Sequence, residues 1–117
     1  MGRLSTHVLD TAHGCPAAGM RVTLLRVQGD EAQVVKRVTL NADGRADGPL
    51  LEGAAMAAGT WRLSFEAADY FRALGLELPE PPFVGTVHLD FGMADVQGHY
   101  HVPLLVSPWS WSTYRGS

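Results

Sequence analysis

Short segments in which apolar and polar residues alternate recur along the chain, separated by turns rich in Gly, Pro, Asn and Asp. An alternation of period two is typical of strands that bury one face. The clearest example is 60–67, where Trp61, Leu63 and Phe65 alternate with polar residues. The same reasoning predicts further strands over 4–10, 20–27, 32–40, 83–91, 100–106 and 109–114. This rhythm of short strands predicts an all-β sandwich.

Turn signals divide these strands. Residues 28–31 are expected to close a β-hairpin, and the Asp-Gly pair within 41–45 favours a tight turn because glycine accepts a positive φ. Arg45 therefore lies at the exit of a turn, where a loop can direct its side chain. Asp69 is expected to cap a short helix over 70–74, which the prolines that follow would end.

Composition narrows the classes of function. The chain has 117 residues, a net charge of -3 and no run of Lys or Arg, so it offers no electrostatic footprint for nucleic acid or an anionic membrane. No apolar stretch is long enough to span a bilayer, and the first 15 residues lack a secretory layout. We expect one domain over residues 1–117 and a cytoplasmic location. Cys15, as the single cysteine, is interpreted as structural.

Two histidines lie on strand faces that oppose the apolar ones. In 4–10, His7 is on the face opposite Val8, and in 100–106, His101 is on the face opposite Val102. If the two strands are neighbours, the imidazoles come together. An imidazole with a pKa near 6.5 is a useful general acid or base at neutral pH, although a surface histidine without a role is the commoner case.

The sequence gives weaker support for other kinds of site. His99 and His101 could hold zinc with His7 or His88, but no carboxylate or thiolate stands at ligand spacing, so we expect no catalytic metal. A serine nucleophile is not expected either, because the chain has no Gly-x-Ser-x-Gly elbow. Arg45 suits a ligand with several carbonyl oxygens if it points into a cleft; otherwise it is a solvated loop residue.

Ordered blocks of sequence carry a resemblance to a known family. They are His-Val-Leu-Asp-Thr-Ala-His-Gly-Cys-Pro-Ala at 7–17, Asn-Ala-Asp-Gly-Arg at 41–45, Asp-Tyr-Phe-Arg-Ala-Leu-Gly at 69–75, Tyr-His-Val-Pro-Leu-Leu-Val-Ser-Pro at 100–108 and Ser-Thr-Tyr-Arg-Gly-Ser at 112–117. The chain resembles the transthyretin-related family, and within it the 5-hydroxyisourate hydrolase branch. Trp109-Ser110-Trp111 departs from the triplet that is common in that branch.

The resemblance implies a fold, a site and an assembly. The fold is a transthyretin-like sandwich of two four-stranded sheets with one short helix, assembled as a homotetramer in which dimers continue the sheets edge to edge. His7, Arg45 and His101 would be catalytic, and would bind substrate together with the tail. The tail residues are Tyr114, Arg115, Gly116 and Ser117, which we interpret as a wall of the cleft.

The resemblance also implies an activity without a cofactor. The reaction would be hydrolysis of 5-hydroxyisourate to 2-oxo-4-hydroxy-4-carboxy-5-ureidoimidazoline in urate breakdown, by histidine-assisted attack of water on the ring C6 carbonyl. Which histidine is the base is left open. Two alternatives from other classes are a transthyretin-type carrier that binds an aromatic ligand without chemistry, and a structural interaction domain.

Overall fold

The computed structural model describes residues 1–116, which form two β-sheets packed face to face. In chain order, the elements are β1 (Arg3–Asp10), β2 (Cys15–Pro16), β3 (Arg21–Gln28), β4 (Glu31–Thr39), β5 (Leu51–Glu52), a 3-10 turn (Gly53–Ala55), β6 (Gly59–Glu66), α1 (Ala67–Ala73), β7 (Thr86–Met93), β8 (His99–Ser107) and β9 (Ser110–Thr113). The predicted all-β sandwich with one short helix is confirmed.

Strand order places the two ends of the chain side by side. The first sheet runs β2-β1-β8-β9, with the two-residue β5 pairing with the start of β1, and the second runs β4-β3-β6-β7. The neighbours β1 and β8 are parallel, whereas the other pairs are antiparallel. The first sheet thus has one short strand more than the four expected.

The core lies between the sheets and follows the alternation of the sequence. In β1, residues Leu4, Thr6, Val8 and Asp10 are buried, while the residues between them lie on the outer face and are half-buried. The second sheet contributes large side chains such as Phe65, which is fully buried. Burying each such side chain stabilises the fold by about 1.5–3 kcal/mol, so the core fixes which face of β1 points outward.

The predicted helix cap at Asp69 is wrong. Helix α1 begins at Ala67, directly after β6, with Glu66 as N-cap and no capping hydrogen bond from its side chain. Asp69 therefore lies inside the first turn, where its carboxylate pairs with Arg21 at 3.2 Å. The helix starts early because Ala67, Ala68, Tyr70 and Phe71 are all buried by the sandwich, which outweighs the local capping signal.

The seventh strand begins later than predicted. It starts at Thr86, and Phe83 is 74% exposed outside the sheet. The segment just before β7 is instead tied to α1, where the Ala68 amide donates to the Gly85 carbonyl at 3.1 Å. The predicted hairpin is confirmed, with Gln28 and Glu31 paired across a two-residue turn. Within residues 1–116, no helix has the length and apolar character needed to cross a membrane.

Candidate active site

The parallel pairing of β1 with β8 brings His7 and His101 to one face. The register aligns Ser5 with His101 and His7 with Pro103, so the two histidines stand on neighbouring strands, offset by two residues. Both are half-buried on the outer face of the first sheet, as the alternation predicts. A contact between chain positions this far apart depends on the topology, and the local pattern gives no sign of it.

The turn at 41–45 delivers Arg45 to the same face. The Asn41 Oδ1 accepts hydrogen bonds from the amides of Asp43 and Arg45, at 2.9 and 3.2 Å, and so closes the turn. The Val8 amide donates to the Gly44 carbonyl at 2.9 Å, which ties the turn to β1. As a result, the backbone of Arg45 forms an isolated antiparallel bridge with His7.

Gly44 is required for this close approach. Its φ is +73°, and a Cβ at this position would lie 2.5 Å from the Val8 carbonyl oxygen. Both the left-handed backbone and the lack of space favour glycine. The Asp-Gly pair that predicted a turn therefore also sets the distance between Arg45 and β1.

The tail packs on β8 through its backbone at Gly116 and through the Arg115 side chain. The Gly116 amide donates to the His101 carbonyl at 2.7 Å, and the Arg115 guanidinium donates to the His99 carbonyl at 3.2 Å. The Arg115 Cζ also lies 4.2 Å from the centroid of the Tyr100 ring, a cation–π contact. The predicted site residue Ser117 lies outside the described residues.

The His101 ring has a distinct electrostatic environment. Its Nδ1 is 2.8 Å from the Ser5 Oγ. Burial lowers the pKa of His101 below 6.5, and the positive charge of Arg45 and the neighbouring His7 lower it further. His101 is therefore held in its neutral form at neutral pH, the state in which an imidazole can accept a proton.

A polar depression of about 340 Å³ opens beside this ring. It is lined by Arg3, Ser5, Arg45, His99, Tyr100 and His101. Arg3 and Ser5 were not predicted as site residues, although both alternate with Leu4 in β1 and so share the face of His7. The depression offers two guanidinium groups and two imidazoles to a small polar molecule.

Tyr114 and Arg115 do not line this depression, although Arg115 contacts His99 and Tyr100, which do. Tyr114 and Arg115 line a second, more apolar cavity of about 210 Å³ between β7 and β9, together with Phe91 and Tyr100. Tyr114 is 60% exposed. Of the described tail residues, Gly116 is the one that forms a backbone bridge with His101.

The alternative of a zinc site at the histidines finds no support in the geometry. Residues 1–116 contain no group of three His, Cys, Asp or Glu side chains placed to hold a metal ion. His88 is on β7 in the second sheet, where its Nδ1 is 2.7 Å from the Ser64 Oγ. His99 Nε2 is 3.1 Å from the Met1 carbonyl oxygen.

Comparisons of the chain with protein families, with other sequences and with solved structures agree with one another. A model of the HIUase/Transthyretin family matches residues 4–116. The 5-hydroxyisourate hydrolase 2 of Rhizobium meliloti (strain 1021) is 57% identical over 116 residues, which cover 99% of this chain and 97% of that protein. The 5-hydroxyisourate hydrolase of Klebsiella pneumoniae has a similar structure, with a TM-score of 0.83, 35% identity and complete coverage of both chains.

One larger structure is also similar. A crystal structure of (S)-allantoin synthase superimposes with a TM-score of 0.93 and 45% identity over 99% of this chain, which spans 44% of the length of that protein. Both the family match and the relatives extend over almost all of the residues that form the sandwich. The chain therefore belongs to the HIUase/Transthyretin family.

Proposed function

We propose that this protein is an enzyme that hydrolyses 5-hydroxyisourate. The observation that carries the proposal is the convergence of His7, Arg45 and His101 on one sheet face, beside a polar depression. The 5-hydroxyisourate hydrolase 2 of Rhizobium meliloti, which is 57% identical over nearly the full length of both chains, supports the same substrate. A carrier would need no neutral imidazole held among cationic groups.

His101 is proposed as the general base. Its lowered pKa keeps the ring neutral, so it can take a proton from water as the water oxygen attacks the C6 carbonyl. The tetrahedral intermediate then collapses with cleavage of the ring C–N bond, and the ring nitrogen receives a proton. The product is 2-oxo-4-hydroxy-4-carboxy-5-ureidoimidazoline, in which C6 stays attached and has become the carboxylate.

Arg45 and His7 are proposed to bind the substrate and stabilise the oxyanion. The planar guanidinium of Arg45 suits a ligand edge made of carbonyl oxygens and ring nitrogens. His7 is bridged to Arg45 through the backbone and is therefore fixed relative to it. Donors aimed at the charge that develops in the transition state are usually the largest contribution to catalysis of this type. The tail is proposed to border this site through Arg115 and Gly116, which contact His99 and His101.

A homotetramer is proposed as the active assembly. Strands β7 and β9 each form the end of their sheet in residues 1–116, which leaves one edge of each available for pairing with a second copy. The outer face that bears His7 and His101 would then be covered by a second dimer. Sedimentation of the purified protein tests this, and a monomer would contradict it.

The activity is tested by ultraviolet monitoring of freshly made 5-hydroxyisourate, generated by uricase, with and without the protein. Spontaneous decay of the substrate is subtracted in every run. We expect rapid loss with wild type and greatly slowed loss with His7→Ala, Arg45→Glu and His101→Asn, each first shown to be folded and assembled as wild type. His88→Asn is the matched control, because His88 is a hydrogen-bonded histidine on the other sheet.

Two outcomes would contradict the proposal. Wild type that binds 5-hydroxyisourate without accelerating its loss would favour the carrier. Folded His101→Asn that is as active as His88→Asn would remove His101 from the mechanism.

A further inference from the structure

We propose that Ser5 is a positioning residue that holds the His101 ring with Nδ1 protonated and Nε2 free to act as the base. This inference rests on the proposed function, because it assigns a role within the same site. Nothing in the chemistry of a serine on a strand marks it in the sequence. It becomes evident only from the pairing of β1 with β8.

The register fixes the contact. Ser5 and His101 are Cα partners in the parallel ladder, both side chains stand on the outer face, and Oγ and Nδ1 are 2.8 Å apart. Because the backbone ladder already holds the two strands, little further ordering is needed to form this hydrogen bond. Ser5 therefore holds one edge of the imidazole.

Gly116 covers the opposite edge of the ring. A Cβ at residue 116 would lie 2.6 Å from the His101 Cδ2, so the tail backbone is packed directly against that carbon. Rotating the ring by half a turn would exchange Nδ1 with Cδ2 and place a carbon against the Ser5 hydroxyl. The hydrogen bond to Ser5 thus selects one ring orientation, with Nε2 as the nitrogen that has no partner in residues 1–116.

The direction of the hydrogen bond decides the chemistry. A neutral imidazole carries one N–H, and if it is on Nδ1 the ring donates to the Ser5 oxygen and keeps its lone pair on Nε2. The other tautomer would put the proton on Nε2, and that nitrogen could then not accept a proton from the attacking water.

A second serine–histidine pair provides a matched comparison. Ser64 and His88 are Cα partners in β6 and β7, and their Oγ and Nδ1 are 2.7 Å apart. Neither residue lines the depression at His101. Ser64→Ala therefore removes the same type of hydrogen bond without touching the proposed site.

The test compares Ser5→Ala, Ser5→Thr and Ser64→Ala in two measurements. The first is kcat and KM for 5-hydroxyisourate. The second is the ¹⁵N chemical shifts of the His101 ring, which report the tautomer in the absence of substrate. Loss of one hydrogen bond to the base is expected to lower kcat about tenfold and to change KM by less than about twofold. Ser5→Thr keeps a hydroxyl and should restore both kcat and the tautomer, and Ser64→Ala should leave both unchanged.

The outcomes separate this inference from the proposed function. If wild type fails to hydrolyse 5-hydroxyisourate, the proposed function fails, and the ring shifts alone still decide the role of Ser5. If the His101 tautomer is the same in wild type and Ser5→Ala, the positioning role is overturned. It is also overturned if Ser5→Thr is as impaired as Ser5→Ala, because packing then explains the loss.

Discussion

The backbone of Gly116 lies directly against the imidazole of His101. The Gly116 amide donates to the His101 carbonyl at 2.7 Å, and a Cβ on residue 116 would stand 2.6 Å from the His101 Cδ2. A hydrogen fits in this position, whereas a methyl group displaces either the ring or the tail. The conformation of the tail and the orientation of the proposed base are therefore linked.

Gly116→Ala is expected to damage catalysis far more than stability. A small displacement of a catalytic group can cost about 100-fold in rate, so kcat/KM should fall by between tenfold and 100-fold. The free energy of unfolding should change by less than about 0.5 kcal/mol, because residue 116 lies outside the core. Urea denaturation and steady-state kinetics check both values. Gly85→Ala is the control, since a Cβ there meets no atom within 4 Å. Equal activity of the two variants would contradict the prediction.

The sequence predicts the faces of the site better than its contacts. Alternation correctly places His7 opposite Val8 because burial of one strand face is a local property of period two. That Ser5 stands beside His101 follows from a parallel pairing of the first strand with the eighth, which no local pattern specifies. Ser5 was missed for this reason.

The turn at Arg45 also shows that the sequence predicts local structure but not the contacts between distant segments. The Asp-Gly pair at 43–44 predicts the turn from backbone preference alone. Its docking onto Val8 needs the folded sheet, so the bridge between Arg45 and His7 could not be predicted. At Asp69, by contrast, the local signal for a helix cap was outweighed by burial of the two alanines before it.

The pKa of His101 gives a prediction with a definite sign. Burial, Arg45 and His7 lower it below 6.5, so the Cε1 proton of His101 should titrate with a midpoint below 6.5 in NMR spectra. Because the base must be neutral, kcat/KM should fall as pH decreases through that midpoint and should be maintained above it.

Removing the charge of Arg45 should shift this midpoint. Arg45→Gln leaves the burial of the ring but removes a cation that disfavours its protonation, so the pKa of His101 should rise and the acidic limb of kcat/KM should move to higher pH. Arg37→Gln, on β4 of the other sheet, is the control and should leave the midpoint where it is. An unchanged or lower midpoint in Arg45→Gln would show that Arg45 does not act on the ring.

Gly44→Ala tests how the turn holds Arg45. The substitution combines a left-handed backbone, at φ +73°, with a Cβ that would be 2.5 Å from the Val8 carbonyl oxygen. Strain of the first kind alone costs about 1–3 kcal/mol. Gly29→Ala has a similar φ of +60° but no atom within 4 Å of the new Cβ. We expect Gly44→Ala to lose more stability than Gly29→Ala in urea denaturation, and to lose kcat/KM as well. Equal losses in the two variants would show that the contact with Val8 is unimportant.

The last prediction concerns the buried carboxylate of Asp10. Its side chain is fully buried and accepts hydrogen bonds from the amides of Ala12 and His13, from the His13 Nδ1 and, at 2.8 Å, from the Tyr70 hydroxyl. These bonds tie the end of β1 to α1. Burial and the hydrogen bond to Asp10 raise the pKa of Tyr70, which keeps the hydroxyl protonated as a donor.

Tyr70→Phe removes a hydrogen bond to a buried charge and should lower the free energy of unfolding by about 1.5–3 kcal/mol. Tyr114→Phe is the matched control, because the Tyr114 ring is 60% exposed and its hydroxyl makes no hydrogen bond within residues 1–116, so its stability should be that of wild type. Urea denaturation at pH 7 measures both.

With Tyr70→Phe folded, kcat/KM should stay near wild type, since Asp10 acts on the fold and lies on the inner face of β1, opposite His7. A loss in Tyr70→Phe no larger than in Tyr114→Phe would mean that the other three donors satisfy the carboxylate without the tyrosine.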